Sequence, residues 1–169
     1  MSNIDAILES IRGVYQPPDE PDHHWLVPAY EALRTDRFVL DFLIRTAPIK
    51  VVSDLNVDVS LRIEVHLVKA SIEVALSCIR PWAMVWRLGE TRPARMIVED
   101  GANDMTDEER GLLTQLKAHG FVVLTRDELG VPVHVKLFDT SPEETKVYHA
   151  LFSDLGTTPP FLQEAGGAG

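Results

Sequence analysis

An unbroken alternation of apolar and polar residues runs from Leu55 to Leu67, and it constrains the fold more than any other stretch of the chain. A period of two is typical of a β-strand with one buried face and one solvated face. The phase slips by one after Lys69 and then continues to Cys78, which predicts a second strand and a tight reversal near Val68–Ser71. A helix fits part of this spacing, but the long alternation and the β-branched residues favour strands.

Further strands are predicted on both sides of this pair. Apolar residues alternate over Arg37–Thr46, which indicates a strand, although Val39, Phe42 and Leu43 also fit helical spacing and leave a helix open. On the other side, Ala83–Leu88 begins a hairpin whose turn contains glycine and proline. The sequence therefore predicts an antiparallel sheet built mostly from residues 37–99.

Three helices are predicted from capping signals and apolar stripes. Ser2–Gly13 carries one stripe and ends at glycine. Thr106–Glu109 forms a capping box, and Gly120 ends the helix that follows it. Ser141–Glu144 forms another box, with proline at the first helical position, ahead of a stripe that ends at Gly156.

The order of these elements determines the predicted class. Most of the predicted strands precede the two C-terminal helices, and there is no regular βαβ alternation. Short extended segments are also predicted at Phe121–Thr125 and Val131–Phe138. We therefore expect an α+β fold. A chain of 169 residues that is 45% hydrophobic is large enough for one core. We assign residues 1–162 to a single domain and residues 163–169 to a flexible tail.

Charge and composition exclude several classes of partner. The formal net charge of −10 repels phosphate backbones and suits a basic protein, so no nucleic-acid partner is expected. The one basic concentration, from Arg80 to Arg95, is interpreted as scattered solvated arginines. No apolar run approaches the roughly 18–20 residues of a membrane span, and no signal peptide is recognised. The single Cys78, expected to be buried, is compatible with a reducing compartment, and we expect a cytoplasmic protein without a membrane partner.

The standard signatures of catalysis and cofactor binding are absent from the sequence. There is no glycine-rich phosphate loop, no Gly-x-Ser-x-Gly, no His-Glu-x-x-His and no Cys-x-x-Cys. The adjacent His23 and His24 lie among carboxylates, but neighbouring residues in a proline-rich loop lack the spacing of metal ligands. No cofactor and no metal site are predicted.

The polar phase of the first long strand is the best candidate for chemistry. In a curved sheet around a cavity, these side chains would supply an acid and a base to a small ligand. The simpler interpretation is a solvated strand face whose charges pair across strands. The candidate pocket residues are Asp58, Arg62, Glu64 and His66.

The other candidate is an acidic surface, because six carboxylates lie between Glu99 and Glu109. Three of them occupy the first turn of the predicted helix, where the helix dipole favours negative charge. The three carboxylates that precede the helix are not explained by the helix dipole. They either contact a cationic partner or are simply solvated. The candidate partner-binding residues are Glu99, Asp100, Asp104, Asp107 and Glu108.

The run Leu112–Leu129, followed by Lys146–Asp154, resembles the C-terminal part of small bacterial toxin-immunity proteins. The likeness covers roughly the last third of the chain and consists of a helix, a glycine and a strand before Asp-Glu-Leu. The resemblance implies a cytoplasmic, non-enzymatic, acidic protein that neutralises a cognate toxin by occluding its active site. It assigns no functional residues.

Two functions are therefore expected. The first is a non-enzymatic protein-binding module, an immunity-type inhibitor that neutralises a bacterial toxin domain of basic character through its acidic surface. The alternative is a small-molecule-binding or catalytic cone-shaped α+β domain that uses the polar face of the Leu55–Leu67 strand.

Overall fold

The computed structural model describes residues 3–15, 23–46, 48–79, 81–89 and 97–156, together with Pro159 and Leu162. These residues form six helices and five strands. The helices are α1 (Asn3–Val14), α2 (Leu26–Thr35), α3 (Arg37–Thr46), α4 (Asp107–Ala118), α5 (Arg126–Leu129) and α6 (Val147–Leu151), and the strands are β1 (Ile49–Val51), β2 (Ser60–His66), β3 (Ser71–Ser77), β4 (Trp82–Leu88) and β5 (Val122–Val123).

The strands form one sheet in the order β1-β2-β3-β4-β5, which confirms the α+β class. The first four strands are antiparallel, whereas β5 runs parallel to β4, so the sheet is mixed. The predicted β2–β3 pair is present, and the Leu67 N–H donates to the Ala70 carbonyl at 2.8 Å in the reversal. β2 begins at Ser60, later than the alternation suggests, because Leu55–Val57 form a turn.

The strand predicted at Arg37–Thr46 is wrong, because this segment is helix α3. Val39 and Leu43 lie one helical turn apart and are both buried in the core between the helices and the sheet. The Asp36 carboxylate accepts the Val39 N–H at 3.3 Å at the start of the helix. The apolar residues of this segment therefore follow helical spacing. The sheet begins later, at Ile49.

The sheet separates two hydrophobic cores. One face, with Ile63 and Val74, packs against α2, α3 and α4. The other face, with Met84 and Trp86, packs against α1, α5, α6 and residues 131–137. Residues in β3 are buried from Ile72 to Ser77, whereas burial alternates in β2 from Leu61 onward. The β1–β2 half of the second face therefore carries the polar side chains.

The start of α4 is confirmed. The Thr106 Oγ1 accepts the Glu109 N–H at 3.2 Å, and the Glu109 carboxylate accepts the Thr106 N–H at 2.8 Å, which is the predicted capping box. Gly120 follows the helix with a φ of +83°, a left-handed conformation that glycine adopts without strain.

The helix start predicted at Ser141 is wrong. Residues 142–144 form a turn, the Ser141 hydroxyl donates to Glu144 at 3.0 Å, and α6 begins at Val147. A capping box at Thr125, the last residue of the extended segment predicted at Phe121–Thr125, begins the short helix α5. None of the described helices is long and apolar enough to span a membrane. The predicted tail, residues 163–169, lies outside the described residues.

Replacement of the confirmed cap, Thr106→Ala, is expected to lower the free energy of unfolding by about 0.5–2 kcal/mol, because an N–H at the helix start loses its acceptor. Ser141→Ala is the matched control, since Ser141 precedes no helix, and we expect a smaller loss. Urea unfolding of both variants measures the difference. Equal losses would contradict this placement of the helix starts.

Candidate functional site

The polar residues predicted for the pocket lie on and just before β2. The register places Arg62 opposite Ala75, Glu64 opposite Glu73 and His66 opposite Ser71 of β3. These side chains share the half of the sheet face that the second core leaves uncovered.

Arg62 is the centre of a buried ion network. Its Nε donates to Glu73 Oε1 at 2.5 Å and its Nη1 donates to Asp58 Oδ1 at 2.9 Å. The guanidinium carbon also lies 5.6 Å from the centre of the Trp86 ring, a cation–π contact. Burial lowers the pKa of Arg62, but hydrogen bonds and charge from Glu73 and Asp58 outweigh this and raise it above its ordinary value.

The network joins the loop before β2 to the segment after α6. Asp58 accepts the Asp54 N–H at 2.8 Å through its second oxygen and pairs with Ser153 in an isolated β-bridge. Next to this bridge, the Val59 N–H donates to the Phe152 carbonyl at 3.1 Å. Both oxygens of the Asp58 carboxylate therefore accept hydrogen bonds from within the protein, as expected of a residue with a structural role.

Glu64 and His66 are more open. The His66 Nε2 lies 3.6 Å from Glu64 Oε1, and its Nδ1 lies 3.0 Å from the Ser71 hydroxyl. The structure brings Asp58 to Arg62 and Glu64 to His66. The pocket at these residues stays a prediction.

Three of the predicted acidic residues lie together at the start of α4. Asp104 accepts from Arg87 at 2.6 Å, Asp107 accepts from Arg110 at 2.9 Å, and the Glu108 carboxylate accepts the Val68 N–H at 3.4 Å. Asp104 and Asp107 are nevertheless open to solvent, with side chains 56% and 98% exposed.

The other two predicted acidic residues belong to a different place. Asp100 pairs with Lys117, in the last turn of α4, at 2.6 Å, and Glu99 accepts the Arg126 N–H at the start of α5 at 2.6 Å. Lys117 lies ten residues, or about 15 Å, along α4 from Asp107. The predicted acidic surface is therefore divided between the two ends of α4.

Arg87 of β4 fixes the start of α4 to the sheet. Its Nε and Nη2 donate to the two Glu109 oxygens at 2.7 and 2.9 Å, and its Nη2 reaches the Asp104 carbonyl at 3.1 Å. These hydrogen bonds hold the pKa of Glu109 and of Asp104 below their usual values, and they raise the pKa of Arg87. Arg87 was predicted to be solvated, so its structural role was missed.

Sequence reasoning also missed Val68, which is 90% exposed at the tip of the β2–β3 hairpin. The Val68 N–H donates a hydrogen bond to the Glu108 carboxylate, so Val68 lies next to the first turn of α4. The phase slip at residue 69 predicted the hairpin tip, but nothing in the local sequence indicated what lies next to it. We call the surface formed by Val68, Asp104, Asp107 and Glu108 the acidic face.

Neither the buried cysteine nor a cluster of metal ligands adds a candidate site within the described residues. Cys78 is buried as predicted, and burial raises the pKa of its thiol to about 12, so the thiol is protonated at neutral pH. Among the residues that the structure describes, no group of three histidine, cysteine or carboxylate side chains is arranged to hold a metal ion.

Comparison of the chain with protein-family models, curated proteins and solved structures finds no match. The resemblance of residues 112–129 and 146–154 to toxin-immunity proteins therefore rests on those residues alone.

Proposed function

We propose that this protein is a non-enzymatic, immunity-type binding module that holds a basic protein partner, such as a bacterial toxin domain, through the acidic face. The observation that carries the proposal is the almost fully exposed Val68, whose main-chain N–H donates to Glu108 in the acidic first turn of α4. The proposal includes a cytoplasmic location, with which the single, buried Cys78 is compatible.

The composition of the acidic face suits a protein interface. Binding surfaces combine a desolvated apolar centre with a polar rim that selects the partner. Val68 supplies the centre, and Asp104, Asp107 and Glu108 supply a rim of one sign. The rim is rigidly mounted, because Arg87 fixes the helix start to β4.

The internal ion pairs of this face do not prevent binding. Arg87 and Arg110 each occupy one carboxylate oxygen of the rim, but such solvent-exposed pairs contribute only about 0–1 kcal/mol. Lysines or arginines of a partner can therefore compete for the remaining oxygen atoms. The net charge of −10 adds a longer-range attraction for a basic protein.

The test uses a toxin domain encoded beside this protein and stopped-flow association at several salt concentrations. Joint neutralisation by Asp104→Asn, Asp107→Asn and Glu108→Gln is expected to slow association and flatten its salt dependence, because long-range attraction acts before contact. Val68→Asn is expected to leave the association rate nearly unchanged and to speed dissociation by about tenfold, which corresponds to 1.4 kcal/mol.

The matched control neutralises three exposed carboxylates elsewhere, Glu9, Asp41 and Glu143, and so changes the net charge equally. If the control triple slows association as much as the acidic-face triple, total charge rather than this face attracts the partner. Failure of the neighbouring toxin to bind the wild-type protein at all would overturn the proposed function.

A further inference from the structure

Residues 133–137 form an extended segment with strand-like burial but no strand partner. Val133, Val135 and Leu137 are buried in the second core, whereas His134 and Lys136 are exposed. The segment belongs to no ladder of the sheet and lies beyond the region paired by the isolated bridge between Pro132 and Lys146.

Among the residues that the structure describes, the main chain in the middle of this segment has no hydrogen-bond partner. At its ends, the Val133 N–H donates to the Thr145 carbonyl at 2.9 Å and the Leu137 N–H donates to the Thr140 carbonyl at 3.3 Å. Between them, the backbone groups of residues 134–136 make no hydrogen bond to any other described residue. An extended segment with free N–H and C=O groups is a template to which another strand can add.

A groove runs beside the segment. α1 supplies Leu8, Ile11 and Arg12 to one wall, and residues 132–135 supply the other. Ile11 is buried and Leu8 is partly buried, and the lining combines these apolar side chains with polar groups in similar proportion. A helix packed beside a free strand edge leaves room for an extended chain between them, with its side chains alternating between floor and solvent.

The charges around the groove have one sign. Arg12 stands in the last turn of α1, and His134 and Lys136 project from the solvent side of the segment. Within the part of the chain that the structure describes, none of these three side chains forms an ion pair, and no carboxylate lines the groove. In a protein with a net charge of −10, this local excess favours an acidic occupant.

We propose that the groove between α1 and residues 133–137 binds an extended acidic peptide, which adds as a strand to the free main chain of residues 134–136. Main-chain hydrogen bonds would supply affinity irrespective of sequence, and Arg12 with Lys136 would select carboxylate side chains. This surface differs from the acidic face in position and in charge, and the inference does not depend on the proposed function.

The test uses the fluorescein-labelled peptide Glu-Val-Glu-Val-Glu-Val and full-length protein in a fluorescence polarisation titration. We expect saturable binding, and slower amide hydrogen exchange at His134 and Lys136 in the bound state, because their N–H groups point to the same edge of the segment and acquire acceptors. The Val135 N–H, like that of Val133, points to the other edge and serves as the internal control. No binding at millimolar protein, or binding without protection of these amides, overturns the proposal.

Two modified peptides test strand addition itself. Alternate residues of an added strand direct their N–H groups to the same side, so N-methylation of the three glutamates or of the three valines removes one set. One of the two modified peptides is expected to lose binding and the other to retain it. Loss in both, or in neither, contradicts strand addition.

A pair of protein variants tests the charge selection. Arg12→Glu is expected to raise the Kd at least tenfold, which corresponds to 1.4 kcal/mol, because it places a carboxylate at the wall of the groove. Arg45→Glu is the matched control, since Arg45 is also exposed in the last turn of a helix, and we expect less than a twofold change. Equal losses would show that net charge alone draws the peptide, and would overturn the assigned groove.

Discussion

Arg62→Met is expected to lower the free energy of unfolding by about 3–5 kcal/mol, because it leaves two buried carboxylates without their counter-charge. The side chains of Asp58 and Glu73 are 0% and 5% exposed, so water cannot replace the guanidinium. Methionine keeps most of the volume of the arginine stem, so the loss reports on charge more than on packing. Urea unfolding at neutral pH measures it.

Two further variants separate the possible causes of that loss. Arg110→Met removes an arginine that is 52% exposed and pairs only with the solvated Asp107, and we expect a change below about 1 kcal/mol. The triple variant Asp58→Asn, Arg62→Met and Glu73→Gln is expected to recover part of the stability, because it removes the uncompensated charges as well. If Arg62→Met were no more destabilising than Arg110→Met, the buried network would have no special energetic role.

The second large effect is expected at Glu109. Glu109→Ala removes the bidentate partner of Arg87 and one half of the capping box at Thr106. The Glu109 side chain that makes both contacts is fully buried. We expect a loss of about 2–4 kcal/mol, since a buried charged pair and a helix cap are broken together. The measurement is again the free energy of unfolding in urea.

Glu109 also makes stability depend on pH. Arg87 holds the pKa of Glu109 below the usual value of 4.5, so this carboxylate stabilises the fold above that value and its contribution is lost as the pH falls through the lowered pKa. Glu109→Gln is therefore expected to be destabilised at neutral pH and to lose less stability than wild type on acidification below about pH 4.5. Glu108→Gln, in the same turn, is the control, and equal acid sensitivity of the Glu109 variant and wild type would contradict this role.

Several elements followed from the sequence because their signals are short-range. The β2–β3 hairpin follows from a period of two and a phase slip, and the start of α4 follows from Thr106 and Glu109, which are three residues apart. Each pattern contains both partners of the interaction that it predicts. Local geometry is then enough to specify the element, whatever packs on it.

Other elements had more than one local solution. Arg37–Thr46 fits alternation and helical spacing, and the helix is formed because Val39 and Leu43 can then enter the core together. Ser141 precedes a plausible capping box, yet Glu144 serves only a turn and α6 begins six residues later. Burial against distant elements selects between such alternatives, and a local pattern contains no information about it.

The candidate sites depended on contacts that are remote in sequence. Asp58 and Arg62 were recognised on one strand, but their third member, Glu73, comes from the next strand and became evident only through pairing. Arg87 is 22 residues from Glu109, and Val68 is 40 residues from Glu108.

The sequence by itself thus determined the class of the fold, the hairpin at its centre and the net acidity of the chain, because period, capping and charge are properties of neighbouring residues or of composition. The packing of the elements determines which carboxylates are neutralised inside the protein and which remain on the acidic face, and it leaves the main chain of residues 134–136 without a partner among the described residues. The physical reason is that side-chain partners and open edges depend on how distant elements pack against each other, and the energy of that packing is shared among contacts far apart in the chain.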